Sequence, residues 1–217
     1  WARVEPEEGY FSQAEIEHYR RMLLACHKHG LQPIVTMFHH TLPRWMMSLG
    51  SWESDKMPAL FARFCGHVTE QLGDLMSIVC TLNEPNINLK LARIQQIPTL
   101  AEIRQQPWAK AASHALGITP SQFAPFFYAD SEKARDILIQ SHKLATEVMK
   151  SKSNKLSVGL TLALDPVHAR NGGEAVAKRI IDECHNVYLE AIKGDDFLGL
   201  QCYSRRLAGP DGMLPIP

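Results

Sequence analysis

The chain has 217 residues, 45% hydrophobic and 21% charged, and its 23 basic side chains balance 23 acidic ones. That supplies apolar material for a sizeable core, while a net charge of zero leaves no basic field to draw in nucleic acid or an anionic membrane. No run approaches the roughly 20 apolar residues of a membrane span, and Trp1-Ala2-Arg3-Val4-Glu5-Pro6 has neither the basic start nor the apolar stretch of a signal peptide.

A chain that opens in mid-phrase without Met reads as a fragment. The five cysteines (Cys26, Cys65, Cys80, Cys184 and Cys202) are scattered, odd in number and mostly set among apolar neighbours. They read as free thiols in a reducing, cytoplasmic compartment.

Ser12-Gln13-Ala14-Glu15 has the form of a capping box. Ile16, Tyr19, Leu23 and Cys26 follow at helical spacing, and Gly30 is the stop. Pro33–Phe38 is a short, nearly all-apolar run that suits a strand covered on both faces. The alternation then repeats, with a helix over 57–72 ending at Gly73 and a strand from Met76 to Leu82. A long insertion over 86–130 carries short helical pieces around Trp108–Leu116 and 120–128. A helix over 131–151, a strand Leu156–Leu162, a helix over 174–192 and a strand Asp196–Leu200 complete the pattern. The tail, Gly209-Pro210-Asp211-Gly212 with Pro215 and Pro217, reads as a loop that closes no element.

Strands alternating with helices predict an α/β domain with a parallel sheet, either doubly wound or part of a (β/α)8 barrel. No glycine-rich phosphate-binding phrase favours the nucleotide-binding versions. Polar residues gather just after each strand: His39-His40, then Asn83-Glu84, then Asp165 with His168, then Tyr203-Ser204-Arg205. In parallel α/β proteins this rim carries the active site, although strand ends also meet water for ordinary reasons. Glu84 comes just after the apolar run Ile78–Leu82, with Asn83 between. A carboxyl at the mouth of a buried strand is partly desolvated, which raises its pKa and lets it donate a proton near neutrality. The plainer role for it is to cap the following turn. Asn83 offers both a donor and an acceptor, which suits a sugar hydroxyl.

Thr81-Leu82-Asn83-Glu84-Pro85-Asn86 resembles the Thr-x-Asn-Glu-Pro signature of glycoside hydrolase family 1, the β-glucosidases and their relatives. Trp1–Pro6 resembles the end of that family's second barrel strand and Val35–Pro43 the end of its third. Trp52 matches its Gly-Gly-Trp phrase, and Asp196–Arg205 resembles its sixth strand. The resemblance implies a partial (β/α)8 barrel forming a single domain over 1–217, acting on a small-molecule β-glycoside with no cofactor and no metal. It also implies roles: Glu84 as general acid and then base, Asn83 on the sugar 2-hydroxyl, His39 on a hydroxyl of the same sugar, and Tyr203 positioning the nucleophile.

The chain departs from the family pattern at His40, where an aromatic Trp or Phe is usual, at Gln201 and Cys202, and in a short segment between Tyr188 and Asp196. No Thr-Glu-Asn-Gly phrase supplies the family's nucleophile, whose place falls beyond Pro217. A retaining glycosidase needs two carboxyls about 5 Å apart, so the chain alone is expected to be inactive and its open strand edges to favour poor stability or self-association. Asp165 is expected to be a rim hydrogen-bonder and Glu5 a loop charge. A catalytically silent sugar-binding or scaffold barrel and a 6-phospho-β-glycosidase are the rival readings. Histidine pairs such as His27-x-His29 lack zinc-site spacing.

Overall fold

The computed structural model describes residues 1–215. Its centre is a sheet of four parallel strands: β1 (Ile34–Phe38), β2 (Ile78–Asn83), β3 (Ser157–Ala163) and β5 (Phe197–Gln201), adjacent in that order. Helices cross between them, as parallel pairing requires. They are α2 (Met57–Leu72) between β1 and β2 and α6 (Glu132–Lys152) between β2 and β3, while α1 (Gln13–Lys28) leads into β1. The insertion holds three short helices, α3 (Ile87–Arg93), α4 (Leu100–Gln105) and α5 (Pro107–Ala115). The result is an α/β fold with the wall of a partial barrel.

Burial explains the strand sequences. Val79, Leu82, Val158 and Leu162 are fully enclosed between the helices and the sheet's other face. Behind them α2 presents Leu60, Phe61, Phe64, Cys65, Val68 and Leu72 to the main core, which also holds Trp52, Phe38 and Phe126. α2 and α6 pack closely because Gly66 leaves room: a Cβ there would stand 2.7 Å from the Val148 Cγ1. The edge strands are open, with Ile34 on β1 and Leu200 on β5 about two-thirds exposed (63% and 65%).

Several expectations need correction. Trp1–Pro6 forms turns rather than a strand end, and Glu5 is no loop charge. It is fully buried, ion-paired with Arg63, and accepts from the Trp1 indole (2.8 Å) and the Gly9 amide (2.9 Å). The Ser12 hydroxyl caps α1, but Glu15 turns to Arg3 (2.9 Å), so the box is only half made. Complete reciprocal boxes stand instead at Thr99/Glu102 and Thr119/Gln122.

The 120–128 stretch makes only single 3-10 turns. The helix expected over 174–192 forms, with one irregularity: α7 (Glu174–Ile181) and α8 (Val187–Ala191) run on through a π-helical turn at Asp182–Asn186. The tail is not a bare loop. β6 (Arg206–Gly209) and β7 (Gly212–Leu214) form an antiparallel hairpin, and β6 also pairs with the short β4 (Val167–Ala169). The turn phrase was readable, but its flanks become strands only because β4 lies beside them; Pro217 is outside the described residues. No helix among the described residues is long and apolar enough to cross a membrane.

Candidate active site

The strand ends converge on Asn83, the last residue of β2. Register between β2 and β3 slips after Cys80, so that Asn83 comes opposite Thr161. Such irregularities re-aim side chains at the end of a strand. The next residue, Glu84, adopts a left-handed backbone (φ 45°), a conformation that costs a non-glycine residue of order 1 kcal/mol and persists where surrounding bonds impose it. Those bonds are visible: the Glu84 amide donates to the Thr161 carbonyl at 2.9 Å, and Asn86 is clamped two residues on. The buried Asn86 amide donates to the carbonyls of Ala163 (3.0 Å) and Cys184 (3.1 Å) and accepts from the Ala163 N–H (3.0 Å). Tyr188 on α8 adds a bond from its hydroxyl to the Pro85 carbonyl (2.8 Å).

Glu84 itself is 9% exposed, and its Oε1 is buried with no hydrogen-bond partner among the described residues. Burial raises its pKa, Lys90 and His39 pull the other way, and Asp165 adds to the rise. A carboxyl so placed holds a proton more readily than one in water.

Asn83 is bonded on both ends of its amide. Its Oδ1 accepts from Gln201 Nε2 (2.7 Å) and Thr161 Oγ1 (3.0 Å), and its Nδ2 stands 3.3 Å from Nε2 of both His39 and His40. His40, left-handed at φ 70°, also approaches the Asn83 carbonyl (3.1 Å) and stacks on Phe126 with centroids 4.7 Å apart. Burial lowers its pKa, the Asn83 carbonyl opposes this, and His39 reinforces it. Tyr203 is 79% exposed and its hydroxyl donates to Gln201 Oε1. Gln201 thus ties Tyr203 to Asn83. His39, Asn83, Glu84 and Tyr203 are therefore brought together, whereas His168 lies on the exposed face of β4, outside this set.

Two groups were missed from the sequence. Lys90 on α3 is buried at 4% side-chain exposure and pairs with the equally buried Asp165 at 3.0 Å. His185, in the π-helical turn, is buried with its Nε2 unpartnered among the described residues. A lysine inside the apolar phrase Ile87–Ala92 was the available signal for the first. Asp165 does bond the rim, but from within: burial alone would raise its pKa, and Lys90, the Ser204 amide and Arg206 outweigh that and lower it. An apolar cavity of about 420 Å³ lies elsewhere, between α1 and β1 and lined by residues such as Tyr19, Leu23, Met37 and Phe64.

A parallel barrel wall with a desolvated glutamate and amide, imidazole and phenol groups at its strand ends defines a partial (β/α)-barrel protein. The chain belongs to glycosyl hydrolase family 1, whose model matches residues 1–197. The β-glycosidase BGL167 has a crystal structure similar over 100% of this chain and 52% of its own, at 42% identity and a TM-score of 0.94. The apo structure of a β-glucosidase, 1317, matches 100% of this chain and 53% of its own at 32% identity and a TM-score of 0.87. Thermostable β-glucosidase B of Thermobispora bispora is 26% identical over 97% of this chain and 40% of its own length. A chloroplastic galactolipid galactosyltransferase of Arabidopsis thaliana is 33% identical over 40% of this chain and 15% of its own length. The chain thus spans about half the length of the solved structures it matches, and less of these curated relatives.

Proposed function

We propose that this sequence supplies the acid/base half of a retaining, β-glucosidase-like glycosidase. The observation that carries the reading is Glu84: a buried carboxyl at a strand end, held by a left-handed backbone, with one oxygen unpartnered among the described residues. In its protonated form it gives its proton to the departing glycosidic oxygen. As the carboxylate it then takes a proton from the water that attacks the glycosyl-enzyme. Asn83, fixed in orientation by Gln201 and Thr161, meets the sugar 2-hydroxyl. His39 meets a second hydroxyl, and Tyr203 orients the nucleophile.

That nucleophile is a second carboxylate from outside the described residues. Asp165 is a poor candidate, since Lys90, Arg206 and two backbone amides already engage its oxygens. The substrate is a small β-glycoside and no cofactor enters the scheme. A cytoplasmic setting is supported by the cysteines, all free among the described residues. A silent sugar-binding barrel would have no use for an unpartnered buried carboxyl, which costs about 1–3 kcal/mol to keep.

The test is hydrolysis of aryl β-glucosides by this chain and by a full-length protein containing it, each with a Glu84→Gln variant. We expect no turnover by the chain alone. In the full-length protein, Glu84→Gln should cost roughly 10²–10⁴-fold for leaving groups that need protonation, and less for dinitrophenyl, which does not. Equal rates in the Glu84→Gln variant and the parent would overturn the acid/base assignment. Turnover by the chain alone, abolished by Glu84→Gln, would show that it provides both carboxylates.

A further inference from the structure

Lys90 and Asp165 present a buried ion pair beside the site, and such pairs are weak devices for stability. Desolvating both charges offsets most of their attraction, and apolar replacements are often as stable. What a buried pair does well is hold parts in one arrangement. The Lys90 ammonium sits 3.0 Å from Asp165 Oδ2 and donates to the Ala163 carbonyl at 3.1 Å. Asp165 Oδ2 also takes Arg206 Nε at 3.2 Å. Its other oxygen, Oδ1, accepts from the amides of Tyr203 (3.4 Å) and Ser204 (3.3 Å).

Residues 202–205 belong to no helix or strand, so these two bonds are what ties the backbone of the turn inward. The tie continues outward through the Tyr203 hydroxyl to Gln201 and from Gln201 to Asn83. One network thus joins α3, the end of β3, the turn after β5 and β6.

We propose that Lys90 is a positioning residue: acting through Asp165, it latches the turn that carries Tyr203 and so sets that phenol relative to Asn83 and Glu84. The proposal rests on the acid/base reading above for its consequence in catalysis, and on geometry alone for the latch. The charged and titratable groups that face Glu84 from the packed elements are Lys90 on α3, His39 after β1 and Asp165 after β3. Losing the ammonium therefore removes the main cation opposing Glu84's retention of its proton.

Two measurements on the same variants decide it. Amide hydrogen exchange in this chain reads the latch without any reaction. Lys90→Met should speed exchange at Tyr203 and Ser204 about tenfold or more, with residues of β1 unchanged, and Lys90→Arg should restore protection. Kinetics in the full-length protein read the consequence. Lys90→Met should lower kcat about tenfold and move the alkaline limb of the pH–rate profile upward. The double variant Lys90→Met/Asp165→Leu, which removes both charges of the pair and leaves Arg206 its bond to Gln96, should be thermally more stable than Lys90→Met but should not regain kcat.

Recovery of both stability and kcat in the double variant would overturn the proposal and leave the pair a purely structural one. Unchanged exchange at Tyr203 and Ser204 in Lys90→Met would overturn it as well. Failure of the acid/base reading would show separately, as an undiminished Glu84→Gln rate, and the exchange experiment would still decide the latch.

Discussion

Replacing Asn86 by alanine removes three hydrogen bonds from a site with no solvent access. Each is worth a net of about 0.5–1.5 kcal/mol, and a buried donor left without a partner moves the cost toward the top of that range. The Ala163 N–H becomes such a donor, and the Cys184 carbonyl loses the amide that it accepts from. The Ala163 carbonyl keeps Lys90 at 3.1 Å and is spared. The sum is about 3–4 kcal/mol, which for a chain of this size lowers Tm by roughly 10 °C. Urea unfolding followed by far-UV circular dichroism should show a lower midpoint at unchanged slope, the signature of lost stability rather than altered compactness. A loss below about 1 kcal/mol would mean that water or a backbone shift replaces all three bonds, and the clamp on the Glu84 turn would have to be abandoned as the reason for its conformation.

Glu84→Gln should make the folded chain more stable at neutral and alkaline pH. The folded-state pKa of Glu84 is raised by burial, so its contribution to stability is fully present below the ordinary carboxylate range and is lost as pH rises through the raised value. The glutamine variant escapes that loss; thermal melts across pH should diverge upward from acid to alkaline, and parallel curves would refute the raised pKa. Gly159→Ala should destabilise strongly, because the new Cβ would stand 2.2 Å from the Phe197 carbonyl oxygen and force β3 and β5 apart. Amide exchange should rise along β5 first, and a variant within about 0.5 kcal/mol of the parent would refute the close approach. Tyr188→Phe removes the hydroxyl that bonds the Pro85 carbonyl from a fully buried ring and should cost about 1–2 kcal/mol in the same unfolding assay.

The strand-end polar residues were legible because they follow apolar strands, and strand ends are where a parallel sheet presents its chemistry. Glu84 stood out for that reason, as did Asn83 and His39. Their mutual contacts were not legible. Nothing local in the sequence says that Gln201, 118 residues from Asn83, donates to it, or that Asp165 reaches the amides of Tyr203 and Ser204. Glu5 misled because a glutamate in a turn-like phrase is normally solvated, and the cation that buries it, Arg63, lies 58 residues away on α2.

By itself, the sequence determined the alternation of strand and helix, the two-sided burial of the central strands β2 and β3 and the identity of the strand-end polar groups, whereas β1 and β5, read the same way, lie open at the edges. All of these follow from periodicity and turn chemistry within a few residues. Tertiary structure alone decided which polar groups were buried and paired. It made strands of the β4, β6 and β7 segments, and it widened the 174–192 helix into a π-helical turn where Asn86 reaches the Cys184 carbonyl. Those outcomes depend on charges and backbone groups far apart in sequence, whose energies change sign between water and a packed interior.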